Sequence, residues 1–453
     1  MGAKRNSVGR LAEPWTVSNL KHLSLGKGWS TNTVNTVIFR EPGLFTLGHH
    51  QFTAFYAGTR TLRLVRRDLR KDRLSTFDLP GSYNVRDAHN CISLGHDGEG
   101  FLHLAYDHHN SGLRYRRSKA PLSITAWTDE IPMTGKCEDR VSYPGFVFFP
   151  RSGALLFLFR DGSSTSGAMR IKEWSARRKG WTDRPTAVLS GSDQRPWTSG
   201  PYWNHPIVGK DGILHLSFVW RAATIADKKL VNNIGIDYAR SLDRGKSWYS
   251  MRGRPFDLPI TQVNSETIWP IFTGSNLINQ TSMALDSKGA PHIVFYADDP
   301  EGIPQYQHLY FDGRIWRHSI ISARKKRFAL RGGGTLRLPI SRPEILIDGA
   351  DRIYVIYRGD LSEDLMAVQR LLPPTYRADP ADIRILWPER LGFAEPIVDR
   401  SRWQRHGILS MLVQKNSQPA HDRGGRPEYQ PVFLADWNLA RLWEPPKGMG
   451  KAA

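Results

Sequence analysis

The 453-residue chain predicts an all-β fold, a seven-bladed β-propeller of four-stranded antiparallel blades, on three observations. A turn bearing Gly or Asp, followed by an apolar run, recurs seven times along the chain. Large aromatic side chains are abundant, with 15 Trp, 15 Tyr and 19 Phe. No stretch carries the periodicity of an amphipathic helix.

The first four copies are Gly48-His49-His50 before residues 51–56, Asp97-Gly98 before 101–106, Ser152-Gly153 before 154–160, and Asp211-Gly212 before 213–221. Three more are Asp286-Ser287-Lys288-Gly289 before 291–296, Asp348-Gly349 before 353–358, and His406-Gly407 before 408–413. Each copy reads as a tight hairpin, an apolar strand, a turn that needs Gly or Asp, and a strand rich in β-branched and aromatic residues. One such blade cannot bury both its faces, so the copies must stack around an axis. Their spacing exceeds the ~40–50 residues of compact propeller repeats, which predicts long loops between strands.

At the ends, residues 15–17 and 33–39 are strand-like, and residues 431–437 supply a last strand. An open sheet edge is a liability, so strands from the two ends are expected to share one blade and close the ring. The repeat leaves no linker, and residues 1–453 are expected to form a single propeller domain.

Two cysteines, Cys91 and Cys137, cannot form a disulfide framework. No apolar run is long enough for a spanning helix. Residues 1–15 are basic without an apolar signal core, so the chain reads as leaderless and its compartment stays open between cytoplasmic and secreted or periplasmic. A formal net charge of +20, from 63 Lys and Arg against 43 Asp and Glu, favours an anionic partner. No nucleic-acid-reading module occurs, and the basic Arg324–Arg327 run lies beside Gly332-Gly333-Gly334 in an expected loop. An acidic polysaccharide is the expected partner, with neither nucleic acid nor membrane, and the protein is expected to be a monomer.

In a hairpin the start of the first strand and the end of the second lie on the same side, so residues flanking the repeats converge on one face of the ring. Before the turns come His89-Asn90, Tyr143, Tyr202 with Asn204-His205, Asn279-Gln280 and Arg342; after the second strands come Asp107-His108-His109, Arg160-Asp161, Arg221, Tyr296 and Arg358. His, Tyr and Arg meeting at one mouth suit acid/base chemistry on an anionic substrate. The rim is poor in the paired carboxylates of glycoside hydrolysis. Zinc-hydrolase, nucleophile-elbow and P-loop motifs are all missing. Neighbouring residues such as His108 and His109 point to opposite faces of a strand and cannot ligate one ion together.

Proton abstraction remains, as in β-elimination of a uronic acid. An Arg neutralises the substrate carboxylate, and His and Tyr serve as base and acid. This requires no metal or organic cofactor, and a structural metal ion is left open.

Residues 34–40, Asp87-Ala88-His89-Asn90, residues 113–118, residues 159–162, Tyr202-Trp203-Asn204-His205-Pro206 and residues 340–343 together resemble the BNR-repeat propellers that include ulvan lyases. Residues 241–248 match the Asp-box pattern S-x-D-x-G-x-[ST]-W, a folding motif common to many propellers. The resemblance covers nearly the whole chain and implies a seven-bladed propeller that eliminates next to a uronate linked to rhamnose. It implies His89 and Tyr143 as the base and acid pair, in either order, and Arg160 as the group that neutralises the carboxylate. Tyr202 and His109 would support them, and His205 matches the wider motif. Arg221 and Arg342 join the substrate-binding set from their rim positions. The polymer stays open between an ulvan-like and a rhamnose–glucuronate one, and the basic balance with the leaderless start leaves room for a different glucuronate-containing exopolysaccharide. The alternatives are a sialidase- or rhamnosidase-like hydrolase on the same scaffold and a non-catalytic propeller that binds acidic polysaccharide.

Overall fold

The structure, a computed structural model, describes residues 20–192, 199–222, 230–420 and 424–444. Antiparallel strands in seven sheets form a β-propeller. Sheet 1 runs outward from Leu44–Leu47 through His50–Gly58 and Thr61–Asp68 to Arg73–Pro80. Sheet 2 has three strands, Ser93–His96, Leu102–Ala105 and Tyr115–Arg117, extended by a bridge between Ser118 and Trp127. Sheets 3 and 4 begin at Val141–Phe149 and Ser199–Trp203 and carry extra short strands. Sheets 5 and 6 have four strands each and begin at Ser282–Leu285 and Glu344–Ile347. In sheet 7, Ile397–Val398, Leu409–Gln414 and Tyr429–Trp437 are followed at the outer edge by Lys21–Trp29, with Lys21 opposite Asp436 and Trp29 opposite Tyr429.

The recurrent turns have a common cause. Asp97 Oδ1 accepts the N–H groups of Glu99 and Phe101, Asp286 Oδ1 those of Lys288 and Ala290, and Asp348 Oδ1 those of Ala350 and Arg352. A carboxylate that binds its own backbone two residues on folds the chain without help from the sheet. The Asp box works the same way, since Asp243 Oδ1 accepts from Lys246 and Ser247 and leaves Trp248 buried beneath it.

The second strand of each hairpin is apolar on both faces because each face packs on a neighbouring sheet. Phe157 and Phe159 of sheet 3 meet Ala105 and Tyr115 of sheet 2, whereas Leu156 and Leu158 meet Leu216 and Phe218 of sheet 4. Burial of each such side chain contributes roughly 1.5–3 kcal/mol. Among the described residues, seven apolar clusters occupy the junctions between successive sheets, including that of sheet 7 with sheet 1.

Three expectations need correction or fall outside the structure. His406-Gly407 is not a hairpin turn: Arg400–His406 is a short helix capped by Asp399, and Gly407 ends it at φ 64°. The β-branched run at 33–39 is not a strand but a buried turn-rich segment. Asn35 Nδ2 donates to the carbonyls of Trp29 and Tyr56, and the Arg40 guanidinium donates to those of Asn35, Ala54 and Ile92. Burial holds Arg40 down at about 10. Residues 15–17 lie outside the described residues. Cys91 is buried, Cys137 is exposed, and neither is bonded. Among the described residues no helix is long and apolar enough to cross a membrane.

Among the described residues, His103, His108, His215 and His308 are buried. Burial pushes His103 and His215 down to about 4, His108 to about 3, and His308 well below 6.5. Each stays neutral in the fold but takes a proton near pH 6.5 when unfolded. Their contribution is therefore full above pH 6.5 and is lost as pH falls toward 4, by up to about 1.4 kcal/mol per pH unit for each. Denaturant midpoints measured from pH 7 to pH 5 should fall steadily; a flat profile would contradict neutral burial.

Candidate active site

Residues entering successive inner strands meet at one mouth of the ring. Asp87 sits in the loop before sheet 2, where its Oδ1 accepts the backbone N–H of His89 at 2.9 Å. The same oxygen lies 2.7 Å from His89 Nδ1, and Oδ2 lies 2.6 Å from His109 Nδ1. The two imidazoles stack at 4.1 Å, so one carboxylate orients both rings. Burial opposes ionisation of Asp87, but the hydrogen bonds to His109 and His89 hold its carboxyl well below the usual range. His109 is fixed from its other side too, because the strand His109–Ser111 pairs with the start of sheet 3, His109 opposite Ser142.

Asp87, His89 and His109 place one ligand atom each within 4.8 Å of one another. A tetrahedral zinc ion with bonds of about 2.0–2.1 Å would hold its ligands about 3.3 Å apart. The observed 2.6 and 2.7 Å separations are those of hydrogen bonds.

Tyr143 follows Ser142 at a break in the ladder between Ser142 and Gly145, and its φ is 53°. This left-handed backbone is costly for a bulky residue, and more so before a proline such as Pro144. Strain of order 1–3 kcal/mol marks positions where a side chain is aimed rather than merely packed. Here it turns the Tyr143 ring to within 6.1 Å of the His89 ring and 5.8 Å of the Tyr202 ring. Phe39 packs on both His89 and Tyr143.

Arg160 lies opposite Ser142 on the next strand of sheet 3. A Cβ on Gly167 would come within 2.9 Å of Arg160 Cγ, so that glycine makes room for the side chain. Arg160 is 2% exposed, and its guanidinium lies 4.7 Å from the Tyr143 ring centre and 5.4 Å from that of Tyr202. Its Nε and Nη1 are buried without a hydrogen-bond partner. Arg221 stands 4.9 Å from the Tyr202 ring and is bound by Asn233 and Asn279.

These arginines divide the two tyrosines. Burial raises both, but at Tyr202 the charges of Arg221 and Arg160, with hydrogen bonds from Arg160 and Tyr143, bring the phenol below its ordinary value of 10. At Tyr143 burial dominates and the neighbouring Tyr202 adds to it, so that phenol lies far above 10. Environments that push paired groups apart define a proton donor and a proton acceptor.

His89, His109, Tyr143, Arg160, Tyr202 and Arg221 therefore come together, and two of the expected residues stand differently. Arg342 reaches the site through its contact with Phe39 at 5.4 Å, but Glu395 holds its guanidinium at 2.8 and 2.6 Å and neutralises it. His205 lies beside Glu41, at 3.4 Å. Burial and the Arg400 charge push it down to about 3, so this is a contact of a neutral ring. Tyr296 and Arg358 from the rim are buried, and Arg358 donates to the carbonyls of Leu338, Pro339 and Ala394. A rim poor in paired carboxylates still holds one at its centre, Asp87, whose sequence signal is an Asp two residues before a rim His.

A model of the BNR repeat-containing family matches residues 50–324. No curated protein matches the sequence. Among solved structures, a polysaccharide lyase described as an ulvan lyase superposes with a TM-score of 0.63 at 13% identity, covering 92% of this chain and 93% of its own. The same type of lyase bound to GlcA(1-4)Rha3S superposes with a TM-score of 0.59 at 14% identity over 77% of this chain and 84% of that one. At such identities the likeness establishes a common fold.

An alkaline titration followed by phenolate absorbance should show a step below pH 10 that disappears in Tyr202→Phe and survives in Tyr143→Phe. Persistence of that step in Tyr202→Phe would contradict the electrostatic division.

Proposed function

The chain belongs to the BNR repeat-containing family, and on that premise we propose that it is a polysaccharide lyase cleaving a uronate-containing anionic polysaccharide by β-elimination. One observation carries the reading: Arg160 is a buried cation with two unpartnered nitrogens beside a strained tyrosine and a carboxylate-held histidine. A buried charge with two unfilled donors is costly, and a substrate carboxylate accepting from Nε and Nη1 would remove that cost.

With Nδ1 directed at Asp87, His89 offers Nε2 as the base for the proton on C5 of the uronate. The C5–H electrons form the C4–C5 double bond, the C4–O4 bond breaks, and Tyr143, which keeps its proton, gives it to the departing oxygen. Arg160 stabilises the enolate-like carboxylate, where charge is greatest in the transition state. Asp87 and His109 position His89, and Tyr202 with Arg221 shapes the field around Tyr143. The reaction so written uses protein groups alone. A polymer of glucuronate and rhamnose, the ligand of the superposed lyase, suits the net charge of +20. We also read the seven sheets as seven blades of one domain, supported by the seven apolar junctions.

His89→Ala and Tyr143→Phe should each lower kcat roughly a hundred- to ten-thousandfold with the fold retained. Arg160→Ala should lower kcat more than it raises KM. Elimination that survives both His89→Ala and Tyr143→Phe would remove the base and acid assignment. Raising salt should weaken capture of the polymer while changing turnover of short oligosaccharides less, because screening acts on the long-range field. Salt-independent capture would leave the net charge without a role.

A further inference from the structure

The groups assigned as base, acid and carboxylate partner are almost sealed. His89 and Tyr143 are each 8% exposed and Tyr202 3%. The cavity on the His205 side of Tyr143 and Tyr202, which neither His89 nor Arg160 borders, measures about 30 Å³. That holds a water or two, whereas sites for ligands the size of a sugar unit or larger run to roughly 300 Å³ and more. With Arg160 2% exposed and His89 8%, a uronate can meet both only if an element beside them moves.

The segment between sheets 5 and 6 is such an element. Leu330 is anchored by its N–H on Asn276 Oδ1 at 2.7 Å, and Arg331 bridges Leu230. Beyond it, Leu338 is buried, with its carbonyl held by Arg358, and Arg337 Nε donates to the Gln418 carbonyl at 2.6 Å. Between these anchors Thr335 Oγ1 comes within 3.3 Å of His89 Nδ1, which enters sheet 2 on the far side of the ring. The segment therefore crosses the mouth as a strap, with its tip on the proposed base. Gly332, Gly333 and Gly334 precede that tip; Gly332 and Gly334 take φ of 94° and 74°, and a Cβ on Gly332 or Gly333 would meet nothing within 4 Å. Three glycines, two of them in a backbone region other residues rarely enter, give the strap rotational freedom between fixed ends.

We propose that residues 331–337 form a gate over the active site, lifting about Gly332–Gly334 to admit the uronate and returning Thr335 to His89 when the site is empty. This rests on the proposed function for what enters, but the motion itself can be read without turnover. Opening frees His89 from the Thr335 contact, and a chain whose carboxylate pairs with Arg160 would hold the gate open.

Diethyl pyrocarbonate modifies an exposed imidazole nitrogen, and His109, 32% exposed at its side chain, provides a reference within the same protein. Initial modification rates at His89 and His109, mapped by mass spectrometry, should give a low His89-to-His109 ratio in the wild type. Thr335→Ala should raise that ratio about fivefold, the change in open population expected from the loss of one hydrogen bond. Deletion of residues 332–335 should raise it further; if that variant does not fold, Thr335→Ala decides alone. An unchanged ratio in a folded Thr335→Ala variant overturns the gate, whatever the protein does to uronates. A raised ratio without elimination on any uronate polymer keeps the gate and rejects the lyase reading.

Discussion

Closure of the ring is the constraint on which everything else depends. The strand Lys21–Trp29 pairs with Tyr429–Trp437, so the first and last described strands complete one sheet. Every sheet can then bury both faces against neighbours, and the apolar second strands have no exposed side. Closure also brings the inner strands to a small radius. One short segment per sheet must enter at the same mouth, and those entries carry Phe39, His89, Tyr143, Tyr202, Asn279 and Arg342. The scaffold is repetitive, but its entries differ from sheet to sheet. That asymmetry allows one reaction centre rather than seven equal binding sites.

The buried arginines separate what holds the fold from what the fold holds ready. Arg40 is satisfied by three carbonyls, Arg358 by three more, and Arg342 by Glu395. Arg160 is as deeply buried, yet two of its nitrogens have no partner. Its charge acts instead on the faces of Tyr143 and Tyr202, one of which retains its proton while the other becomes more acidic. A fold that satisfies its other central guanidinium groups so fully, while paying backbone strain at Tyr143, points to a partner that arrives from outside.

Much of the architecture was legible because its signals are local. An Asp that closes its own turn leaves the same mark whichever sheet it serves, as at Asp97, Asp286 and Asp348. Rim positions followed from the hairpin register, which brought His89, Tyr143, Arg160 and Tyr202 into one set. What escaped depends on distant contacts. Residues 33–39 have the composition of a strand, but Asn35 and Arg40 capture carbonyls from other sheets and fold the segment as turns. His406-Gly407 resembles the repeat turns, yet Asp399 caps a helix before it. Asp87 holds two histidines twenty residues apart in the chain, and no periodicity reveals that pairing. The path of residues 331–337 across the mouth is equally invisible, because glycines specify freedom and not destination.

The central claim is that this site eliminates across a uronate. Its most direct measurement is the ultraviolet absorbance of a new unsaturated uronate, recorded with reducing ends, on ulvan and a panel of glucuronate–rhamnose polysaccharides. The account predicts that both signals rise together on at least one polymer. Reducing ends without the absorbance would make the protein a hydrolase, and polymer binding with neither signal would make it a binding propeller; either result would contradict the account.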